Sequence, residues 1–246
     1  MNPAGSELRE CVARARVLLE GRPLSDEAVH EARKALKRAR AALRLLRPGM
    51  AKTLYSEANA ALRDAGRHLA PLRDIRSARV ALKDLGAEAL APQLEGKEKA
   101  ARRNLRLAEC AALLTRAEQA RLSAPEPSVL AKGLQRIYRK GRKALARAQK
   151  EPTSEALHEW RKQVKYLANS LEILGAPDPK AGRRAAKLAD RLGDDHDLAM
   201  LAGGHLPGQK LRRRIDVRRR KLQRKAFVLG EELYGPKPKR FVRKLS

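Results

Sequence analysis

E-A-V-H-E-A-R-K-A-L-K at residues 27–37 returns as E-A-L-H-E-W-R-K-Q-V-K at residues 155–165, every position displaced by 128. The displacement pairs His30 with His158, Arg33 with Arg161, Lys34 with Lys162 and Lys37 with Lys165. Apolar positions keep their character too: Leu36 corresponds to Val164, Leu43 to Leu171, Leu45 to Ile173 and Leu46 to Leu174. Core positions recur because every amphipathic helix needs them. One histidine and three cations recurring at fixed spacing need another reason, and an anionic ligand held between two related halves is the simplest.

On a helical wheel Val29, Ala32, Leu36, Ala39, Leu43 and Leu46 fall within about 100° of one another, a stripe that faces a core. His30, Arg33, Lys34, Lys37, Arg40 and Arg44 occupy the adjacent face, a rail of donors on a helix about 33 Å long. Arg33 and Arg40 border the apolar edge and are expected to be partly buried, their stems lying along it. In the second copy His158, Arg161, Lys162 and Lys165 keep the rail. Tyr166, Ala168 and Glu172 stand where the first copy has Arg38, Arg40 and Arg44, so the second rail is shorter.

Working outward, Ala, Leu, Arg, Lys and Glu recur with helical period and few β-branched residues, which predicts helices nearly throughout. The expected segments are 6–20, 25–47, 51–69, 72–90, 94–122, 128–150, 153–174, 180–192, 195–202 and 208–233. Gly and Pro punctuate them, and Ser25 and Thr153 stand where N-caps belong. A Pro-rich stretch at 124–127 marks the midpoint. A weaker repeat, L-A-P-L-R-D-I at 69–75 against L-G-D-D-H-D-L at 192–198, matches Asp74 with Asp197. The expected fold is all-α: one domain over 1–246 with an N-terminal half, 1–123, and a C-terminal half, 124–246. Each half is a bundle of about four helices, and a pseudo-twofold axis relates them through an internal duplication.

Lys and Arg number 56 against 28 Asp and Glu, a net charge of +28 over 246 residues. Such a charge repels itself in the folded state, and points to a polyanionic partner. Aromatics are only 3%, so the stacking platforms that read single-stranded nucleic acid are missing. The ligand is therefore expected to offer charge rather than π-faces. Cys11 and Cys110 have no C-x-x-C spacing and are expected to be small core residues in a reducing cytosol. The N-terminus lacks a secretory pattern, no apolar run approaches the ~20 residues of a spanning helix, and no membrane partner is expected.

Rival chemistries are weaker. E-x-x-H occurs at Glu27 to His30 and at Glu155 to His158, as in di-iron bundles, but cations one turn away on the same face oppose a metal. Asp194-Asp195-His196-Asp197 lacks further ligands at metal spacing; His68 and His205 lie in stretches without it. No Walker A, G-x-S-x-G or paired-carboxylate motif stands out, so no catalysis, metal or cofactor is expected. The nearest alternative is a non-specific nucleic-acid binder, acting through Arg212-Arg213-Arg214, Arg218-Arg219-Arg220-Lys221 and the cations between Lys237 and Lys244.

Taken together, these residues resemble the conserved histidine α-helical domain, the CHAD family. The resemblance runs through V-H-E-A-R-K-A-L-K-R-A-R-A-A-L-R-L-L at 29–46, L-R-D-I at 72–75, L-H-E-W-R-K-Q-V-K-Y-L at 157–167, L-A-D-R-L-G-D-D-H-D-L at 188–198 and L-G-E-E-L-Y-G-P-K-P-K-R-F-V-R-K-L at 229–245. It implies two pseudo-symmetric four-helix bundles around a basic central channel that binds inorganic polyphosphate, without catalysis by the domain itself. It also implies a cytoplasmic protein associated with polyphosphate granules. The first copy would line the channel with His30, Arg33, Lys34, Lys37, Arg40 and Arg44, the second with His158, Arg161, Lys162 and Lys165. The resemblance further implies a contribution from 128–150 through Arg136, Arg139, Arg142 and Lys143 beside Tyr138, and Lys237, Lys239 and Arg240 closing one end.

Overall fold

The duplicated segments fold as two helices laid against each other, and the other elements assemble around that pair. In this computed structural model, which describes residues 3–21, 24–118, 127–175, 178–204 and 208–243, the described residues contain no strand. The first half holds α1 (Pro3–Glu20), α2 (Asp26–Leu46), α3 (Lys52–His68), α4 (Ala70–Asp84), α5 (Glu95–Arg103) and α6 (Leu107–Glu118). The second holds α7 (Pro127–Lys150), α8 (Ser154–Ile173), α9 (Pro179–Gly203), α10 (Gln209–Tyr234) and α11 (Pro238–Arg243).

The two copies begin alike. Ser25 Oγ accepts from the Ala28 amide at 3.1 Å, and Thr153 Oγ1 accepts from the Ala156 amide at 3.2 Å. Each cap satisfies an amide left over in the first turn. Asp26 and Glu27 in α2, and Glu155 in α8, add the acidic first turn that the helix dipole favours. Their packing also runs in parallel. α1 covers α2 as α7 covers α8, α3 flanks α2 as α9 flanks α8, and α2 meets α8 across the middle.

The stripe read from the sequence is buried: Val29, Ala32, Leu36, Ala39, Leu43 and Leu46 all lie in the core. One apolar cluster joins them to Leu157, Trp160, Val164, Leu167 and Leu171 of α8, so it runs through both halves. A smaller cluster, around Leu82, Leu198, Ile215 and Leu222, knits the ends of α4, α9 and α10.

The element count departs from four per half, for local reasons. The expected 72–90 helix ends at Asp84, because Gly86 adopts φ +58 and closes a Schellman turn. There the Ala87 amide reaches Leu82 O and the Gly86 amide reaches Lys83 O, both at 2.8 Å. The expected 94–122 helix breaks between Arg103 and Leu107. Conversely, 180–192 and 195–202 fuse into α9. Its buried stripe of Ala185, Leu188, Leu192, Asp195, Leu198 and Leu201 stays in phase across Gly193, and a glycine with nothing near its Cβ position need not end a helix. A short α11, unforeseen in the sequence, docks on α7 by stacking Phe241 on Tyr138, ring centroids 4.0 Å apart. Of the expected midpoint, Ala124, Pro125 and Glu126 lie outside the described residues, as do His205 and Lys244.

Contact between the halves also needs Gly133. A Cβ there would sit 2.1 Å from Leu45 O of α2, a backbone atom that cannot yield. Gly133→Ala should therefore cost about 2–3 kcal/mol of unfolding free energy through overpacking. Gly193→Ala, in open space on α9, should be neutral or add about 0.5–1 kcal/mol. Urea titration of the two variants checks the contrast.

Candidate anion-binding site

Where α2 faces α8, a cavity of about 380 Å³ opens between the halves, with α3 as its third wall. From α2 come Arg33, Lys37 and Arg40; from α3, Arg63 and Arg67; from α8, His158, Arg161, Lys162 and Lys165. The lining thus holds eight cationic side chains and no carboxylate. The 128-residue correspondence becomes spatial here. Lys37 stands near enough to Lys165, and Arg33 to Arg161, for the second of each pair to lower the pKa of the first.

A second pair of contacts is reciprocal. Arg44 of α2 stacks 3.7 Å over the ring of Tyr166 in α8. Arg38, the counterpart of Tyr166, pairs with Glu172, the counterpart of Arg44. Contacts that exchange partners this way are what isologous pairing produces. The chemistry differs between them: one is a cation on a π-face, the other an ion pair.

Burial shapes the electrostatics. Desolvation first, and then Lys165, Arg33, Arg73 and Arg161, push the Lys37 ammonium down to about 6. Desolvation and then Arg161 push Lys165 down to about 8. Arg33 and Arg161 fall to about 10, again chiefly through burial. Arg33 donates through Nη1 to Gly66 O of α3, yet its Nε, with those of Arg40 and Arg161, is buried without a hydrogen-bond partner among the described residues. Unpaired buried donors are costly, and these lie on three residues of one cavity.

Acidic groups stand just outside and hold single cations in place. Arg73 of α4 reaches Asp197 at 2.6 Å and Asp74 at 3.1 Å, so the weaker repeat also meets across the halves. Glu159 takes Lys162 at 2.5 Å and Gln163 at 2.6 Å. His158 and His196 set their Nδ1 atoms 3.3 Å apart, one donating and the other accepting. Burial, then Arg161, lowers both rings, His196 to about 3, so both are neutral near pH 7.

Of the residues expected to line the channel, Arg33, Lys37, Arg40, His158, Arg161, Lys162 and Lys165 come together in the cavity. His30 does not; it lines a small cleft with Arg73 and Arg76. Lys34 is exposed and paired with Glu31 at 2.8 Å. Arg44 lies over Tyr166, bonded to Asn59 at 3.1 Å. On α7, Arg136 is half-buried, with Arg47 and Arg139 nearby, while Arg139, Arg142 and Lys143 are exposed. Lys237, Lys239 and Arg240 are exposed at α11, which packs on α7. Sequence reasoning missed Arg63 and Arg67, whose i,i+4 spacing on α3 was the available signal. It also missed Arg73 and Lys140; the latter continues the basic path from Arg44 and Arg47 towards Arg136.

Elsewhere, Glu27 pairs with Arg76 at 2.9 Å and Glu155 with Arg147 at 3.7 Å. Among the described residues no group of three or more His, Cys, Asp or Glu is placed to hold a metal ion. No helix among them is long and apolar enough to cross a membrane.

The family model described as CHAD domain matches residues 6–203. A crystal structure of the CHAD domain from the plant Ricinus communis is similar in fold, with a TM-score of 0.59 at 22% identity over 98% of this chain and 89% of that one. No curated protein sequence matches the chain.

The lysine pair predicts a pH dependence of stability. Its protons bind more weakly in the fold than in the unfolded chain, where lysine titrates near 10.5. The destabilisation is therefore complete below pH 6 and is relieved as pH rises towards 10.5. Ligand-free protein should melt at higher temperature at pH 9 than at pH 6, and Lys37→Met should flatten that rise. A variant that rises as steeply as the parent would show that Lys37 is not its source.

Proposed function

The chain belongs to the CHAD domain family, and from its cavity we propose that it binds inorganic polyphosphate between its two helical halves, without turning it over. The observation that carries this reading is the lining: eight cations, no carboxylate, and three orphaned guanidinium Nε atoms in one cavity. Polyphosphate offers a charged oxygen-rich group at every repeat and no bases. Arginine gives it planar bidentate donors, lysine a mobile point charge. The basic path through Arg44, Arg47, Lys140 and Arg136 gives a long polymer a way out of the cavity.

Binding without turnover fits the same lining. His158 is the one imidazole there, and its Nδ1 is engaged by His196, while no carboxylate stands by as a base. Such a module suits recruitment to polyphosphate granules. Long-chain polyphosphate incubated with the protein should keep its length on a gel.

Calorimetric titration with long-chain polyphosphate at near-physiological salt tests the reading. Saturable binding is expected, with a melting temperature that rises as ligand is added, by about 4 kcal/mol of stabilisation at a thousandfold excess over Kd. Lys37→Glu with Lys165→Glu should weaken binding about a hundredfold or more, because charge-assisted bonds are worth ~1.5–3 kcal/mol each. The exposed pair Lys83→Glu with Lys180→Glu should cost far less. Equal losses would mean diffuse surface attraction and defeat the cavity.

Proton linkage gives an independent check. A bound polyanion favours protonated Lys37, so at pH 8, above its value of about 6, binding should take up protons. Affinity should fall as pH rises further. Titration heats that do not vary with the ionisation enthalpy of the buffer would contradict this.

A further inference from the structure

The carboxylates of this chain are shared out unevenly. Around α1–α6 many arginines have an acid to hand: Arg14 meets Glu31, Arg16 meets Glu118, and Arg79 meets Glu98. On α10 the run R-R-I-D-V-R-R-R-K-L-Q-R-K at 213–225 holds eight cations and one acid. Ile215 and Leu222 are buried, and Arg219 turns inward to Asp195 at 3.0 Å.

Beside this helix runs a groove of about 680 Å³, walled by the end of α4 and by α9. Arg191, Arg213, Arg214, Arg218, Lys221 and Lys225 line it, against the single carboxylate of Asp84. Arg214, Arg218, Lys221 and Lys225 follow i, i+4, i+7 and i+11 spacing, a straight rail about 16 Å long. Arg218 is anchored, donating to Asp84 O at 3.0 Å. The side chains of Arg213, Arg214, Lys221 and Lys225 make no hydrogen bond or ion pair among the described residues. Like charges at i,i+4 oppose helix formation, so an anion along the rail would relieve a repulsion built into α10.

The groove is separate from the cavity between the halves. They share no lining residue. α9 stands between them, turning His196 to His158 of α8 and Asp195 to Arg219 of α10. The groove also differs in kind, for Leu85, Leu222 and the exposed Val217 add apolar surface to it. Bare phosphate gains nothing from such surface, whereas the sugars of a phosphodiester backbone pack on it. The lining contains no aromatic ring, so the stacking that holds single strands is missing. Phosphate contacts alone fix a protein on a duplex without reading its sequence.

We propose that the α10 groove binds the backbone of duplex nucleic acid, without base specificity, as a second site independent of the cavity. Protein holding polyphosphate in the cavity would still take a duplex on α10.

The test is titration of a short labelled DNA duplex, with polyphosphate titrated separately, on three proteins: the parent, Arg214→Glu/Lys221→Glu/Lys225→Glu, and Lys37→Glu/Lys165→Glu. The α10 triple variant should lose roughly tenfold or more in duplex affinity and keep its polyphosphate affinity, while the cavity variant keeps duplex binding. In the parent, Lys221→Ala should reduce the slope of log affinity against log salt by about one. That single change carries the test if circular dichroism shows the triple variant misfolded. Duplex binding unchanged in the triple variant, or an unchanged slope in Lys221→Ala, would overturn the proposal. So would a triple variant that loses polyphosphate and duplex alike, because the groove would then be a second polyphosphate segment. Failure of polyphosphate to bind the parent would leave the duplex result standing and would count against the cavity reading alone.

Discussion

Lys37 against Lys165, and Arg33 against Arg161, in the seam between α2 and α8: that confrontation is the constraint on which the molecule turns. Like charges brought together out of water are doubly unfavourable, through lost hydration and through mutual repulsion. Asp74, Asp190 and Asp197 relieve Arg33, Arg161 and Lys165 only in part from outside, and no carboxylate lines the cavity itself. The fold holds the seam closed from behind, with one apolar cluster that unites α2 and α8 with α1, α3, α6 and α7. Past the lysines, Arg44 on Tyr166 and Arg38 on Glu172 tie α2 to α8. Hydrophobic burial there outweighs an electrostatic cost at the site.

The acids next to the cavity hold nearby cations, and Lys162 of the lining is among them. Asp74 and Asp197 converge on Arg73, and Glu159 engages Lys162 at the edge. Asp195, buried in α9, is committed to Arg219 and Gln223 of α10. The third wall is one-sided. In the register that matches Asp74 with Asp197, Ala186 and Asp190 correspond to Arg63 and Arg67. A wall of α9 would therefore offer an alanine and an acid where α3 offers two arginines, and the cavity is lined by α3.

Much of this architecture was legible in the chain because it is written in periodicity. The stripe from Val29 to Leu46 specified the buried face of α2, and Arg33 and Arg40 are half-buried at its edge as the wheel indicated. The caps at Ser25 and Thr153 are where the local chemistry required them. Local rules failed where tertiary packing decided. The gap expected between 192 and 195 closes, because the buried phase of α9 carries the helix through Gly193. His30 and Lys34 share the rail yet point out of the cavity, towards Arg76 and Glu31, because a rail spread over about 120° of arc is wider than one cavity wall. Arg63 and Arg67 belong to a helix whose placement no pattern within it discloses.

What the cavity selects follows from its cost. With Lys37 held at about 6 and Lys165 at about 8, the empty site sheds part of its charge at neutral pH and above. A ligand must restore those protons, and it does so only if its own charge lies close to both lysines at once. An isolated anion that neutralises one side of the seam leaves the other side's repulsion in place. On the proposed reading, a chain of linked phosphates would put neighbouring charges beside Lys37 and Lys165 together, and would reach the orphaned Nε atoms of Arg33, Arg40 and Arg161 along its length. High charge density in a narrow linear ligand is what the seam would reward on that reading. A duplex, whose backbone is mounted on stacked bases, cannot bring its phosphates into a cavity of about 380 Å³.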